Sequence, residues 1–144
     1  MSSWSRALLA IVGLVLSAPA QAQGDPLAGA WRFRSVNAAL GCAIDGEAVL
    51  KRGDERDRYE VAMTAYERCG SIYRGRAIEI CQAARAGAHV SLRCGVLRTI
   101  PHRPYQPDDF ELELRGDGEM AGRLTADWDT PALWQRGGDA APVA

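Results

Sequence analysis

Four cysteines, two histidines and one run of carboxylates are the groups in this chain whose chemistry could carry a function. Cys42, Cys69, Cys81 and Cys94 are all of its cysteines. No two of them are spaced Cys-x-x-Cys, so neither a structural zinc nor a dithiol redox centre is expected. His89 and His102 could act as bases near neutral pH. No Gly-x-Ser-x-Gly, His-Glu-x-x-His or phosphate-binding loop accompanies them. His89 falls beside a turn and His102 among prolines, so each reads as an exposed histidine. Asp108, Asp109, Glu111 and Glu113 have the chemistry of a calcium site or of a glycosidase pair. Glu111 and Glu113, however, occupy the solvent side of an alternating strand. Two Arg-Gly-Asp tripeptides, at 52–54 and 115–117, coincide with predicted turns, where Gly and Asp are expected in any case. The expectation is no catalytic residue, no metal and no cofactor.

Aromatic side chains are the stronger signal. Tyr59, Tyr66, Tyr73, Tyr105, Trp128 and Trp134 are many for a small domain, and packing is the default role for most of them. Tyr105, Trp128 and Trp134 lie near predicted loops, where binding concentrates, and are the candidate ligand-binding groove.

The elements that must position these groups begin after a leader. Residues 1–22 have the layout of a secretory signal peptide, with Arg6, the apolar run 7–16 and two small-x-small sites ending at Ala20 and Ala22. The apolar run is about half of the roughly 20 residues that span a bilayer. No cysteine marks a lipoprotein cleavage site and no Arg-Arg pair marks the twin-arginine route. The mature chain is expected in an oxidising space, periplasmic or secreted, with no transmembrane segment. The formal net charge is −1, which leaves no basic field for nucleic acid.

The remainder reads as one domain over 27–136, followed by a frayed tail over 137–144. Residues 31–36, 42–50, 59–69, 89–98, 110–114, 120–124 and 132–136 alternate as half-buried strands do. Residues 51–58 form a charged loop, 72–75 a short strand or turn, and 116–118 a hairpin turn. Residues 77–86 have the composition of a helix, yet the cysteines ask for a strand. About eight short strands at this spacing predict an antiparallel barrel or sandwich.

Four cysteines allow three pairings, and hairpin geometry selects among them. Opposite residues of a hairpin have position numbers with a constant sum. A two-residue turn at Gly87-Ala88, with Gly first as type II′ prefers, places Cys81 opposite Cys94 in a narrow, non-hydrogen-bonded pair. Pairing Cys42 with Cys69 sets Leu50 against Val61 and Ala48 against Met63, apolar against apolar. The predicted disulfides are Cys42–Cys69 and Cys81–Cys94, each contributing about 2–4 kcal/mol. In this register Ile78 and Ile80 face away from Cys81, which a bulge or a strand covered on both sides would reconcile.

Leu27-Ala28-Gly29-Ala30-Trp31 resembles the Gly-x-Trp opening of the first strand in lipocalins and other calycin-like barrels. The segments 109–112 and 120–123, with Trp134-Gln135-Arg136, resemble the closing strands of small exported bacterial barrels of uncharacterised function. The resemblance implies an up-and-down barrel in which Trp31 plugs one end beneath an arginine of the last strand. Arg136 is the first candidate for that arginine and Arg123 the second, held by cation–π stacking. Small periplasmic inhibitors of metalloproteases share a similar opening. That likeness implies an arm, here residues 21–28, that enters a protease cleft. The expectation is therefore an all-β, calycin-like barrel of about eight strands with two disulfides. It is expected to be a monomer that binds a small molecule or an envelope protein without catalysis. Protease inhibition through the arm is the alternative.

Overall fold

The structure, a computed structural model, describes residues 24–126 and 128–137. The leader assigned to residues 1–22 and the tail beyond residue 137 lie outside the described residues. Eight strands follow one another: β1 (Gly29–Asn37), β2 (Cys42–Arg52), β3 (Arg58–Cys69), β4 (Tyr73–Ala86), β5 (His89–Ile100), β6 (Phe110–Arg115), β7 (Glu119–Leu124) and β8 (Thr130–Arg136). Each pairs antiparallel with its neighbours, and β8 returns to β1 to close the barrel. This is the all-β, disulfide-bearing architecture expected of a calycin-like barrel. Closure pairs every strand on both sides, with the second half of β5 the part that β6 does not reach. Among the described residues no helix is long and apolar enough to cross a membrane.

Alternation decides which side chains go inside. In β2, Cys42, Ile44, Gly46, Ala48 and Leu50 are buried, while Ala43, Asp45, Glu47 and Val49 between them are partly exposed. Cys42 sits opposite Cys69, Ala48 opposite Met63 and Leu50 opposite Val61. Cys81 sits opposite Cys94. Both pairs are disulfides, with Cα atoms 4.1 and 4.0 Å apart, as narrow antiparallel pairs require. Gly87 has φ 62°, the left-handed value that the first central residue of a II′ turn takes.

β4 resolves the ambiguous stretch as strand. It also absorbs 73–75 into a single strand of 14 residues. The helix-favouring Ala, Glu and Gln are overridden because Ala77, Glu79, Cys81 and Ala83 line one buried inward face, with Cys81 and Ala83 part of the core. A bulge does occur, between Ile78 and Glu79 of β4 and their partners. It does not turn the isoleucines inward, since Ile80 remains 48% exposed on the outer wall. The extra residue is Leu97, because Glu79 pairs with Val96 and Ile78 with Arg98. Ahead of the bulge Val90 and Leu92 face the core; beyond it Thr99 does. The bulge thus re-aims the end of β5 rather than β4.

The middle of the barrel is filled. Phe33 stacks on Trp134 at 4.8 Å, and Phe110 meets both rings edge-on at 5.4 and 5.1 Å. Burial of each such ring contributes roughly 1.5–3 kcal/mol.

Candidate functional site

The barrel has two distinct ends. The base carries the N-terminal segment 24–28 and the turns 53–57, 87–88 and 116–118. The mouth carries the connections 38–41, 70–72 and 101–109, with residues 125–126 and 128–129.

At the base the N-terminal segment folds back as a plug. Leu27 is buried, and the Trp31 indole N–H donates to its carbonyl at 2.8 Å. Arg136 lies opposite Trp31 in the β1–β8 register, with its guanidinium carbon 4.8 Å from the Trp31 ring. The same guanidinium donates to the Ala28 carbonyl at 2.7 Å and to the Pro26 carbonyl. Arg123 instead pairs with Asp129 at 2.5 Å. Asp25 accepts from the Leu27 and Ala28 N–H groups at 2.9 and 3.3 Å and from the Tyr59 hydroxyl at 2.9 Å, and it pairs with Arg52 at 2.8 Å. Burial pushes the Asp25 carboxyl up, but these donors outweigh it and hold its pKa below the ordinary value. The described part of the arm, 24–28, therefore lies against the barrel and does not protrude.

At the mouth the electrostatics reverse. β5 pairs with β6 only from His89 to Leu92, so the second half of β5 rises without that neighbour. Pro101, Pro104 and Pro107 cannot donate to a ladder, and residues 101–109 fold back across the mouth as a strap. Thr99 Oγ donates to the Arg103 carbonyl and accepts from the Arg103 N–H, both at 3.0 Å. The Arg103 guanidinium stacks on Tyr73 at 3.7 Å and pairs with Glu67 at 2.9 Å. Gly75 makes the stacking possible, because a Cβ there would lie 1.7 Å from the Tyr73 hydroxyl. Asp109 accepts from the Cys94 N–H at 2.7 Å, which anchors the end of the strap where β6 begins.

Beneath the strap lies a pair of carboxyl groups. Glu79 and Asp108 are both buried. The Asp108 N–H donates to Glu79 Oε1 at 2.9 Å, and the Tyr105 hydroxyl donates to Asp108 Oδ2 at 2.7 Å. Burial, then the Asp108 charge and a side-chain hydrogen bond to Asp108, push Glu79 far above the ordinary glutamate range. Burial also raises Asp108, although bonds from Glu79 and Tyr105 pull it back. Burial and the neighbouring carboxyls hold the Tyr105 phenol well above its ordinary value, so it stays a donor. Two buried carboxyls in contact cannot both ionise cheaply, and at neutral pH the pair keeps one proton.

A cavity of about 80 Å³ lies beside this pair, lined among others by Glu67, Arg103, Tyr105, Asp108 and Trp128. The structure thus brings Tyr105 and Trp128 to one cavity, but not Trp134. Trp134 is fully buried against Phe33 and Phe110, because its strand position faces inward at the middle of the barrel. Tyr66 lies on the outer wall, partly exposed. The carboxylates 108, 109, 111 and 113 do not converge, and among the described residues no group of His, Cys, Asp and Glu is arranged to hold a metal. His89 meets Glu111 at 2.7 Å on the outer wall, where Arg93 also binds Glu111 and the histidine is half exposed. That contact lies on the outside of the sheet, away from the cavity.

Glu79 is the residue that sequence reasoning missed. The available signal was parity: Glu79 shares its strand face with Cys81, which pairs with Cys94 on the face of Val90 and Leu92. A carboxyl two residues from an inward cysteine is a buried carboxyl. Comparison of the chain with protein-family models, with curated proteins and with solved structures gives no match.

Proposed function

We propose that the protein is an exported, non-catalytic binding barrel that receives a small polar group at its mouth. That group is either a small molecule or the tip of a side chain on an envelope protein. The carrying observation is the cavity of about 80 Å³ between Tyr105, Trp128 and the charged groups of Glu67, Arg103 and Asp108. Drug-sized ligands occupy clefts of roughly 300–1,000 Å³. The rest of the interior is filled by Trp31, Phe33, Phe110 and Trp134, so a lipid of calyx size has no room. Aromatic walls with a few convergent polar groups suit recognition. The leader-like segment 1–22 and the two disulfides support a periplasmic or secreted location. The calycin-like reading of the Gly-x-Trp opening is supported by the Trp31–Arg136 stack.

Titration of the oxidised protein with small ammonium, carboxylate and sugar probes, followed by the NMR signal of the Trp128 indole N–H, tests this reading. Shifts are expected at Trp128 for one probe class. They should be lost in Tyr105→Ala and kept in Tyr66→Ala, which alters only the outer wall. Silence with every probe, or shifts that survive Tyr105→Ala, would overturn it.

A further inference from the structure

The strap over the mouth is built as a closure, and its fastening differs from the rest of the molecule. Asp108 is its buried anchor, and the group it fastens to is Glu79, on the inward face of β4. Glu79 Oε2 is buried and meets no donor from the protein. As a carboxylate, Glu79 would leave that oxygen without a donor from the protein. As a carboxylic acid it places a proton between itself and Asp108. The strap's other fastenings include the Arg103–Glu67 pair, the Arg103–Tyr73 stack, the Thr99 hydroxyl and, at its far end, Asp109 held by the Cys94 and Thr125 N–H groups. None of these reaches the carboxyl pair.

We propose that residues 101–109 are a strap latched shut by one proton shared between Glu79 and Asp108, and that loss of this proton opens the cavity lined by Tyr105 and Trp128. The groups facing the pair are Tyr105 and Asp109 from the strap and Glu67 from β3. Arg103, the nearby cation, is committed to Glu67 at 2.9 Å and does not neutralise the pair. Once the proton leaves for solvent, two carboxylates share a buried site. Their repulsion is relieved when the strap carries Asp108 into water.

The sign follows from the raised Glu79 pKa. Its proton stabilises the closed form fully below the ordinary value of 4.5, and that stabilisation is lost as pH rises through about 9. The mouth is therefore shut in acid and at neutral pH and opens in alkali. This regulates the cavity on which the binding reading rests, but its test uses no ligand, so the two can fail separately.

Hydrogen exchange of the oxidised protein across this pH range, corrected for the intrinsic pH dependence of exchange, reads the strap directly. Protection of residues 102–109 is expected to fall on the order of tenfold or more near pH 9, while β2 and β3 stay protected. Glu79→Gln keeps an acceptor for the Asp108 N–H and a donor for its carboxyl, so this variant should stay protected throughout. An identical alkaline loss in Glu79→Gln, or no loss in the wild type, overturns the latch. If Glu79→Gln does not fold, the ¹³C-carboxyl titration of wild-type Glu79 decides alone. A midpoint that coincides with the loss of strap protection supports the latch, and one that does not coincide overturns it.

Discussion

The base and the mouth of this barrel each enclose a carboxyl, largely at Asp25 and fully at Glu79, and they hold it in opposite charge states. Asp25 at the base is surrounded by donors: two backbone N–H groups, the Tyr59 hydroxyl and the Arg52 guanidinium. Glu79 at the mouth receives one N–H and faces a second carboxyl. Desolvation is the largest cause at both sites and acts in the same direction. The difference comes from the deeper burial of Glu79 and the charge of Asp108 beside it, set against the donors and the Arg52 guanidinium around Asp25; together these decide whether each carboxyl stays an anion or keeps its proton. Loosening of the base is thus tied to acid, and loosening of the mouth to alkali.

The comparison can be broken most severely through the aromatic plugs. Trp31 is fully buried, carries the Leu27 hydrogen bond and is the platform for Arg136. Trp31→Ala should cost about 3–5 kcal/mol in urea unfolding. Trp128 borders a cavity and is 8% exposed, so Trp128→Ala should cost clearly less, about 1–2 kcal/mol. Equal losses would show that the mouth is as tightly built as the base.

The disulfides come next. Cys42–Cys69 joins β2 and β3 where they reach the mouth. Replacing both cysteines by alanine should cost about 2–4 kcal/mol. The accompanying gain in hydrogen exchange should concentrate at 38–41 and 70–72 and spare 24–28. Exchange that rises equally at the base would mean that the two ends are mechanically coupled.

The smallest expected effect sharpens the electrostatic contrast. Asp25 has a lowered pKa, so its contribution is fully present above the ordinary aspartate value of 3.8 and is lost as pH falls through the lower folded value. Asp25→Asn should reduce neutral-pH stability by about 0.5–1.5 kcal/mol and flatten the acid limb of a stability–pH curve. The alkaline limb, set by Glu79, should be unchanged. A shift of the alkaline limb would show that the two carboxyls are not independent.

The sequence by itself determined what neighbouring strands decide. Alternation placed the inward faces of β2, β3 and β6, and the Gly87-Ala88 turn set the register that joins Cys81 to Cys94. Such features are local, because a hairpin of known turn leaves its pairing no freedom. The Trp31–Arg136 contact was reachable through a family resemblance, although 105 positions separate the two residues. Only the tertiary structure decided that Trp134 belongs to the aromatic core, that Tyr105 and Trp128 share a cavity and that Asp108 descends onto Glu79. These depend on barrel closure, on the phase change at Leu97 and on the path of a proline-rich strap. No periodicity encodes them, and Glu79 and Asp108 meet across 29 positions because the strap folds back over the mouth.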